Sequence, residues 1–304
     1  MIKNLIDTDD LGKEEILEIL DKAHYYKNQI INGNKSFKDL AGKTVVLAFF
    51  ENSTRTRSSF ELAAKYLGAN TVVLTSTGSS VKKGETLIDT ARTLDHMAAD
   101  AIVIRHSQSG APQYINSHIQ AKIINAGDGL HAHPTQALLD ALTIYEYKKN
   151  FKDLNVTIIG DILHSRVARS NVYLLNTMGA NVSLCGPKTL MPKYLEKMNV
   201  RVFNNPKEAV KDADVVMGLR IQLERQQSGL FPSKGEYFKF YGITEKLLSL
   251  AKEDAIVLHP GPVNRDVEIS SSLIETDRCL IDEQVLSGVS VRMAVLHSIL
   301  GGRA

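Results

Sequence analysis

The sequence predicts an α/β fold of two doubly wound parallel-sheet domains joined by interdomain helices, and three observations predict it. Short β-branched runs alternate with amphipathic segments along most of the chain. Several of these runs are apolar on consecutive positions, as expected of strands covered by helices on both faces. The alternation also falls into two groups, and 304 residues at 43% hydrophobic exceed what one compact core usually holds.

A first amphipathic stretch at about 13–32 precedes the strand TVVLAFF (44–50). Next comes a helix in which Phe60, Ala63, Ala64 and Leu67 recur at helical spacing and Gly68 closes the turn. The strands TVVLT (71–75), AIVIR (101–105) and KIIN (122–125) complete the first group, with a helix at about 85–98 between them. A helix at about 134–147 leads into the second group: VTIIG (156–160), NVSLC (181–185), DVVMG (214–218) and AIVLH (255–259), with helices at about 165–178 and 290–302. The stretch 221–241, IQLERQQSGLFPSKGEYFKFY, reads as a long loop.

Composition narrows the function. Lys plus Arg is 36 against 34 Asp plus Glu, a net charge of +2, which argues against a nucleic-acid or membrane partner and leaves anion binding to local clusters. Cysteine occurs only at 185 and 279, without a CxxC pair or His at metal spacing, so free thiols in a reducing compartment, no metal and no cofactor are expected. The start, MIKNLIDTDDLGKEE, lacks a signal-peptide pattern, and no apolar run of about 18 residues occurs, so a cytoplasmic protein is expected. The turn after VTIIG holds only Gly160 instead of a G-x-G-x-x-G fingerprint, which speaks against a nicotinamide dehydrogenase.

In open parallel sheets ligands bind beyond the carboxyl ends of the strands, and the unusual residues cluster there. ENSTRTR (51–57) places two arginines and three hydroxyls where a strand hands over to a helix. Capping by Ser53 or Thr54 explains one hydroxyl. A helix N-terminus with Ser53, Thr54, Arg55 and Thr56 also makes a polydentate cradle for a phosphate or carboxylate. Arg105 ends AIVIR, either as a strand-end arginine leaving the core or as a cation at a ligand crevice. His133 stands beside Pro134 at a helix start, as a cap or surface residue or as a ligand donor. SSVKKGETLIDTARTL (79–94) reads alone as a solvated loop, and the Pro-Gly-Pro at 260–262 reads alone as a turn.

Taken together, STRTR, RHSQSGAP, HPTQ, SSVKKGE, GDILHSRVARSN, GLRIQLER and HPGP resemble the aspartate and ornithine carbamoyltransferases over nearly the whole chain, and the details point to the catalytic chains of the aspartate branch. The resemblance implies a carbamoyl-phosphate-binding domain over 1–149, completed by a C-terminal helix over 287–304, and an aspartate-binding domain over 150–286. Ser53, Thr54, Arg55, Thr56, Arg105, His133, Gln136 and the Pro260, Gly261, Pro262 turn would hold carbamoyl phosphate, while Arg57 would turn inward to a structural ion pair. Lys83, Arg166, Arg220 and Gln222 would hold aspartate, Arg166 at its α-carboxylate and Arg220 at its side chain. Some relatives carry a bulkier residue at the Gly261 position, where contact runs through backbone.

The implied activity is transfer of the carbamoyl group to the amine of L-aspartate, giving N-carbamoyl-L-aspartate and phosphate on the route to UMP. Arg55, Arg105, His133 and Lys83 would be catalytic, with no side-chain base needed. Ser79 and Lys83 would come from a neighbouring subunit, which implies a homotrimer. Whether the trimer stands alone or joins regulatory chains or dihydroorotase in a dodecamer stays open. The rival activities are carbamoyl transfer to ornithine, whose enzymes typically show HPCQ and HCLP where this chain has HPTQ and HPGP, and a non-catalytic anion-binding module.

Overall fold

The computed structural model describes residues 2–75, 85–221 and 233–301. The chain divides into two compact units, Met1–Leu142 with Leu286–Ala304, and Thr143–Val285.

In the first unit the chain runs α1 (Lys13–Ile31), β1 (Thr44–Phe49), α2 (Thr54–Tyr66), β2 (Asn70–Thr75), α3 (Leu87–His96), β3 (Ala101–His106), α4 (Ala111–Asn116), β4 (Lys122–Asp128) and into α5 (Pro134–Lys148). The described strands form a parallel sheet in the order β2-β1-β3-β4. Five consecutive residues of β1, Val45–Phe49, are buried, as the unbroken apolar run requires of a strand covered on both faces. One covering layer packs Val46, Ala48, Ile102 and Ile104 against Ala91, Leu94 and Ile115. The similar run in β2 is instead a sheet edge that exposes Val72 and Val73.

The second unit contains β5 (Asn155–Ile159), α6 (Arg166–Thr177), β6 (Asn181–Cys185), β7 (Arg201–Phe203), α7 (Pro206–Ala209), β8 (Val215–Gly218), α8 (Lys234–Tyr241), α9 (Glu245–Leu248), β9 (Ile256–Leu258) and α10 (Ser271–Ile274). Its described strands are parallel in the order β7-β6-β5-β8-β9. The two doubly wound sheets match the expected fold class. Helix α11 (Ile281–Leu300) then returns to the first unit, where Lys27 on α1 donates to Ser287 Oγ at 3.1 Å and Lys22 donates to Ser298 Oγ at 3.2 Å. The division between units falls inside both α5 and α11.

Several elements differ from the sequence reading. Helix α11 begins at Ile281, well before the expected 290. Gly288 disguises the first turns, yet it is tolerated because the helix packs closely there: a Cβ would lie 3.3 Å from Leu139 Cδ2. Residues 234–241 of the expected loop form α8, capped by Ser233 Oγ accepting from Glu236 N–H at 3.1 Å, and 222–232 lie outside the described residues. The short α4 and β7 carry too few residues to show a period.

The end of α2 is closed as expected. Gly68, at φ +84°, donates to Lys65 O, and Ala69 N–H donates to Ala64 O, the paired bonds of a Schellman turn. A Cβ at Gly68 would sit 2.8 Å from Phe37 O, whereas one at Gly33, also at φ +84°, meets nothing within 4 Å. Gly68→Ala therefore costs about 2 kcal/mol in denaturant unfolding and Gly33→Ala about 1 kcal/mol, since only the first adds a collision to the left-handed strain.

Candidate active site

Doubly wound sheets have a switch point where the strand order reverses, and the loops on either side of it part to leave a crevice. In the first unit the chain leaves β1 for β2 on one side and then crosses to β3 on the other, so the switch lies between β1 and β3. The chain after β1 carries Ser53 as the cap and Thr54, Arg55 and Thr56 in the first turn of α2, and Arg105 stands next to last in β3. In the second unit the switch lies between β5 and β8; Arg166 opens the helix that follows β5, and Arg220 lies in the loop after β8.

At the first switch Ser53 is the N-cap of α2, in extended conformation, but its side chain makes no capping hydrogen bond. The capping role the sequence allowed is thus unused, and the opening N–H groups of the helix have no intrahelical acceptor. Thr54 and Arg55 are exposed, while Thr56 is buried. Arg57 is half-buried, and among the described residues no carboxylate pairs with it, so its expected ion pair is not seen. The Arg105 side chain is 12% exposed and is held from two sides: Nη2 meets Glu51 Oε1 at 2.8 Å, and Nη1 donates to Ala126 O at 3.3 Å.

After β4, a buried carboxylate shapes the path to the next helix. Asp128 accepts from Gly110 N–H at 2.7 Å, Asn125 Nδ2 at 2.8 Å and Ala132 N–H at 3.1 Å, joining the loop after β3 to the turn before α5. Pro134 occupies the first helical position, and the carbonyl of His133 accepts from Gln136 and Ala137 N–H. His133 and Gln136 are both buried. Gln136 Nε2 donates to Asp140 Oδ1 at 2.9 Å; because a carboxylate only accepts, this bond leaves the amide oxygen of Gln136 as the acceptor on its other side.

In the second unit Gly160, at φ +148°, ends β5 where a Cβ would lie 2.7 Å from Leu219 Cβ. The chain then enters α6, with Ser165 Oγ capping Ala168 N–H at 3.1 Å and Arg166, buried, as the first helical residue. Arg220 follows β8. The next residue is anchored by Glu268: Ile221 N–H donates to its Oε1 at 2.9 Å, Asn264 N–H to its Oε2 at 2.6 Å and Asn264 Nδ2 to its Oε1 at 2.7 Å. Burial pushes the Glu268 carboxyl up from its ordinary range, against those donors and the Arg220 charge, which pull it down. The Pro260–Gly261–Pro262 turn follows β9 and contains a cis Gly261–Pro262 bond. Gly261 N–H donates to His259 Nδ1 at 2.9 Å, and His259 N–H to Gln284 Oε1 at 2.9 Å.

Ser79, Lys83 and Gln222 lie outside the described residues. Among the described residues no His, Cys, Asp and Glu cluster could hold a metal ion, and no helix is long and apolar enough to cross a membrane. Cys185 and Cys279 are free thiols. Sequence reasoning missed Glu51, Asp140 and Glu268, the acidic residues that hold the donors; only Asp140, four residues after Gln136 on a helix, left a spacing signal.

Family models for the carbamoyl-P binding domain and the Asp/Orn binding domain of the aspartate/ornithine carbamoyltransferases match residues 3–146 and 152–299. The chain belongs to the aspartate/ornithine carbamoyltransferase family. It is 58% identical over 295 residues to the aspartate carbamoyltransferase catalytic subunit of Acetivibrio thermocellus, covering 97% of this chain and 95% of the relative. Identity is 52% over 300 residues to the corresponding subunit of Heliobacterium modesticaldum, covering 99% and 96%. Among solved structures, ornithine carbamoyltransferase from Pyrococcus furiosus superposes with a TM-score of 0.89 at 29% identity, covering 99% of this chain and 98% of that one. Aspartate transcarbamoylase from Trypanosoma cruzi, in complex with carbamoyl phosphate and aspartate, superposes with a TM-score of 0.88 at 31% identity, covering 98% and 97%.

Glu268→Gln turns an amide NH2 toward N–H donors, so denaturant unfolding should show a loss of about 1–3 kcal/mol. A raised carboxyl pKa means the folded state holds the proton more tightly, so this group stabilises most below its unfolded pKa and less as pH rises through the folded value. The penalty of Glu268→Gln should accordingly be smaller at pH 8 than at pH 5.

Proposed function

We propose that the chain transfers the carbamoyl group of carbamoyl phosphate to the amine of L-aspartate, releasing N-carbamoyl-L-aspartate and phosphate, as a step of de novo pyrimidine synthesis. The observation that carries this reading is the presence of arginines at both switch points, Arg55 and Arg105 in one unit and Arg166 and Arg220 in the other. Two anionic substrates repel each other, and each unit supplies cations for one of them. Relatives named aspartate carbamoyltransferase at 50–58% identity over nearly the full length support the aspartate reading over ornithine. So does Arg220, whose fork suits a second carboxylate and opposes a cationic side chain.

Carbamoyl phosphate sits with its phosphate on the N-terminus of α2, held by Ser53, Thr54, Arg55 and Thr56, with Arg105 reaching the phosphate and the carbonyl oxygen. His133 donates to that carbonyl oxygen. Gln136 Oε1, the acceptor left by the bond to Asp140, takes the carbamoyl NH2, as do the backbone carbonyls of the Pro260–Pro262 turn. Arg166, Arg220 and Gln222 hold aspartate. Its uncharged amine forms the new C–N bond, negative charge gathers on an oxygen already facing Arg105 and His133, and the C–O bond to phosphate breaks. The departing phosphate takes the amine proton, so no side-chain base is required. Holding both reactants in line can contribute roughly 7–11 kcal/mol in favourable cases.

Ser79 and Lys83 reach the site of a neighbouring subunit in a cytoplasmic homotrimer. The exposed edge of β2, with Val72 and Val73, precedes that segment in sequence and suits contact with another copy.

Offered both amines with carbamoyl phosphate, the protein should release phosphate with aspartate and not with ornithine; the reverse preference overturns the assignment. Arg55→Ala should lower kcat by about 10²–10³-fold with an unchanged melting transition, and near-parental kcat removes Arg55 from the chemistry. Mixed oligomers of the Arg55→Ala and Lys83→Ala chains should regain activity through hybrid sites, and none in verified mixtures would exclude sharing between subunits.

A further inference from the structure

We propose that Arg292 on α11 is a positioning residue for the carbamoyl-phosphate half of the reaction, bracing the body of α2 against the start of α5 as a single anion-binding frame. The inference rests on the reading of the site given above. It places Arg292 behind the ligand-bearing turns, where it acts through other residues.

Arg292 is 3% exposed. Nη1 donates to Ser59 Oγ at 3.0 Å and to Gly288 O at 2.9 Å, and Nη2 donates to Thr135 Oγ1 at 3.5 Å. Its central carbon lies 5.1 Å from the centroid of the Phe60 ring. Ser59 and Phe60 belong to α2, whose first residues are the phosphate cradle, and Thr135 stands between His133 and Gln136 at the start of α5. One planar cation therefore ties the middle of α2, one turn behind its opening residues, to the start of α5, and so sets the spacing of two helices proposed to hold one small molecule. Gly288 makes room for it, since a Cβ there would lie 2.7 Å from Nη1.

The charge has a second effect. Among the described residues no carboxylate lies within 4.0 Å of Arg292, so its hydrogen-bond acceptors are neutral. A buried cation with only neutral acceptors carries an electrostatic cost that a nearby anion relieves. Burial, followed by the charge of Arg105, lowers the Arg292 pKa to about 9, with Asp140 pulling the other way; the group stays cationic at neutral pH. Arg292 and Arg105 thus raise the same local potential from inside the fold, and a bound dianion relieves both.

The test compares Arg292→Met, Arg292→Lys and Ser59→Ala with the parent, measuring inorganic phosphate binding by calorimetry, both KM values, and thermal unfolding. Arg292→Met should raise the phosphate Kd and the carbamoyl-phosphate KM by about tenfold, while the aspartate KM at saturating carbamoyl phosphate moves less than about twofold. Arg292→Lys should recover part of that loss in proportion to its retained charge. A folded Met variant with parental phosphate Kd and carbamoyl-phosphate KM overturns the inference, as does a loss shared equally by both substrates with no recovery by Lys. Should the Met variant fail to fold, Ser59→Ala decides: about a threefold rise in carbamoyl-phosphate KM supports the frame, and no change overturns it. A parent that neither binds phosphate nor turns over overturns the reading of the site itself, a result distinct from either.

Discussion

A parallel strand that ends where a helix begins presents backbone N–H groups and a positive dipole end to whatever lies beyond the sheet, and the whole protein is arranged around that constraint. Each unit reverses its strand order once, and each places arginines at the reversal. A cation held near other positive groups is unfavourable unless something anchors it. The anchors are acidic or carbonyl oxygens on neighbouring strands and loops: Glu51 and Ala126 O for Arg105, and Glu268 for the backbone just after Arg220. Affinity for anions is thus built by restraining like charges, and the restraint is the work of residues that carry no ligand themselves.

The fold was largely readable because buried parallel strands cannot hide: Val45–Phe49 and Ala101–Ile104 are apolar on consecutive positions for a reason the sheet makes plain. Element edges were less readable, for reasons that differ from place to place. The run in β2 has the same composition as its neighbours but lies at a sheet edge, and hydropathy does not record which strand has a partner on only one side. Helix α11 begins before its apolar period becomes clear, because Gly288 serves a close approach that appears only in three dimensions.

For the candidate site, the residues proposed to touch ligands are of types that stand out at strand ends. The residues that orient them do not. Asp140 looks like a solvated helix carboxylate until its bond to Gln136 is seen, and Glu268 belongs to a stretch whose partner, Ile221, is distant in sequence. Sequence patterns report what a residue could do locally. They are silent on pairings made across the fold, and orientation of a donor is nearly always such a pairing.

The first unit is not contiguous in the chain: its last helix, α11, follows the whole of the second unit. During synthesis on the ribosome, Met1–Leu142 emerges long before Leu286–Ala304, so the early segment waits with Phe60, Ser59 and Thr135 lacking the partner that later covers them. A nascent chain therefore cannot make these contacts until α11 has followed the whole of the second unit. A chain truncated before Leu286 keeps every described strand of the first sheet but has no Arg292 to join α2 to α5, so the order of synthesis sets the order in which this unit closes.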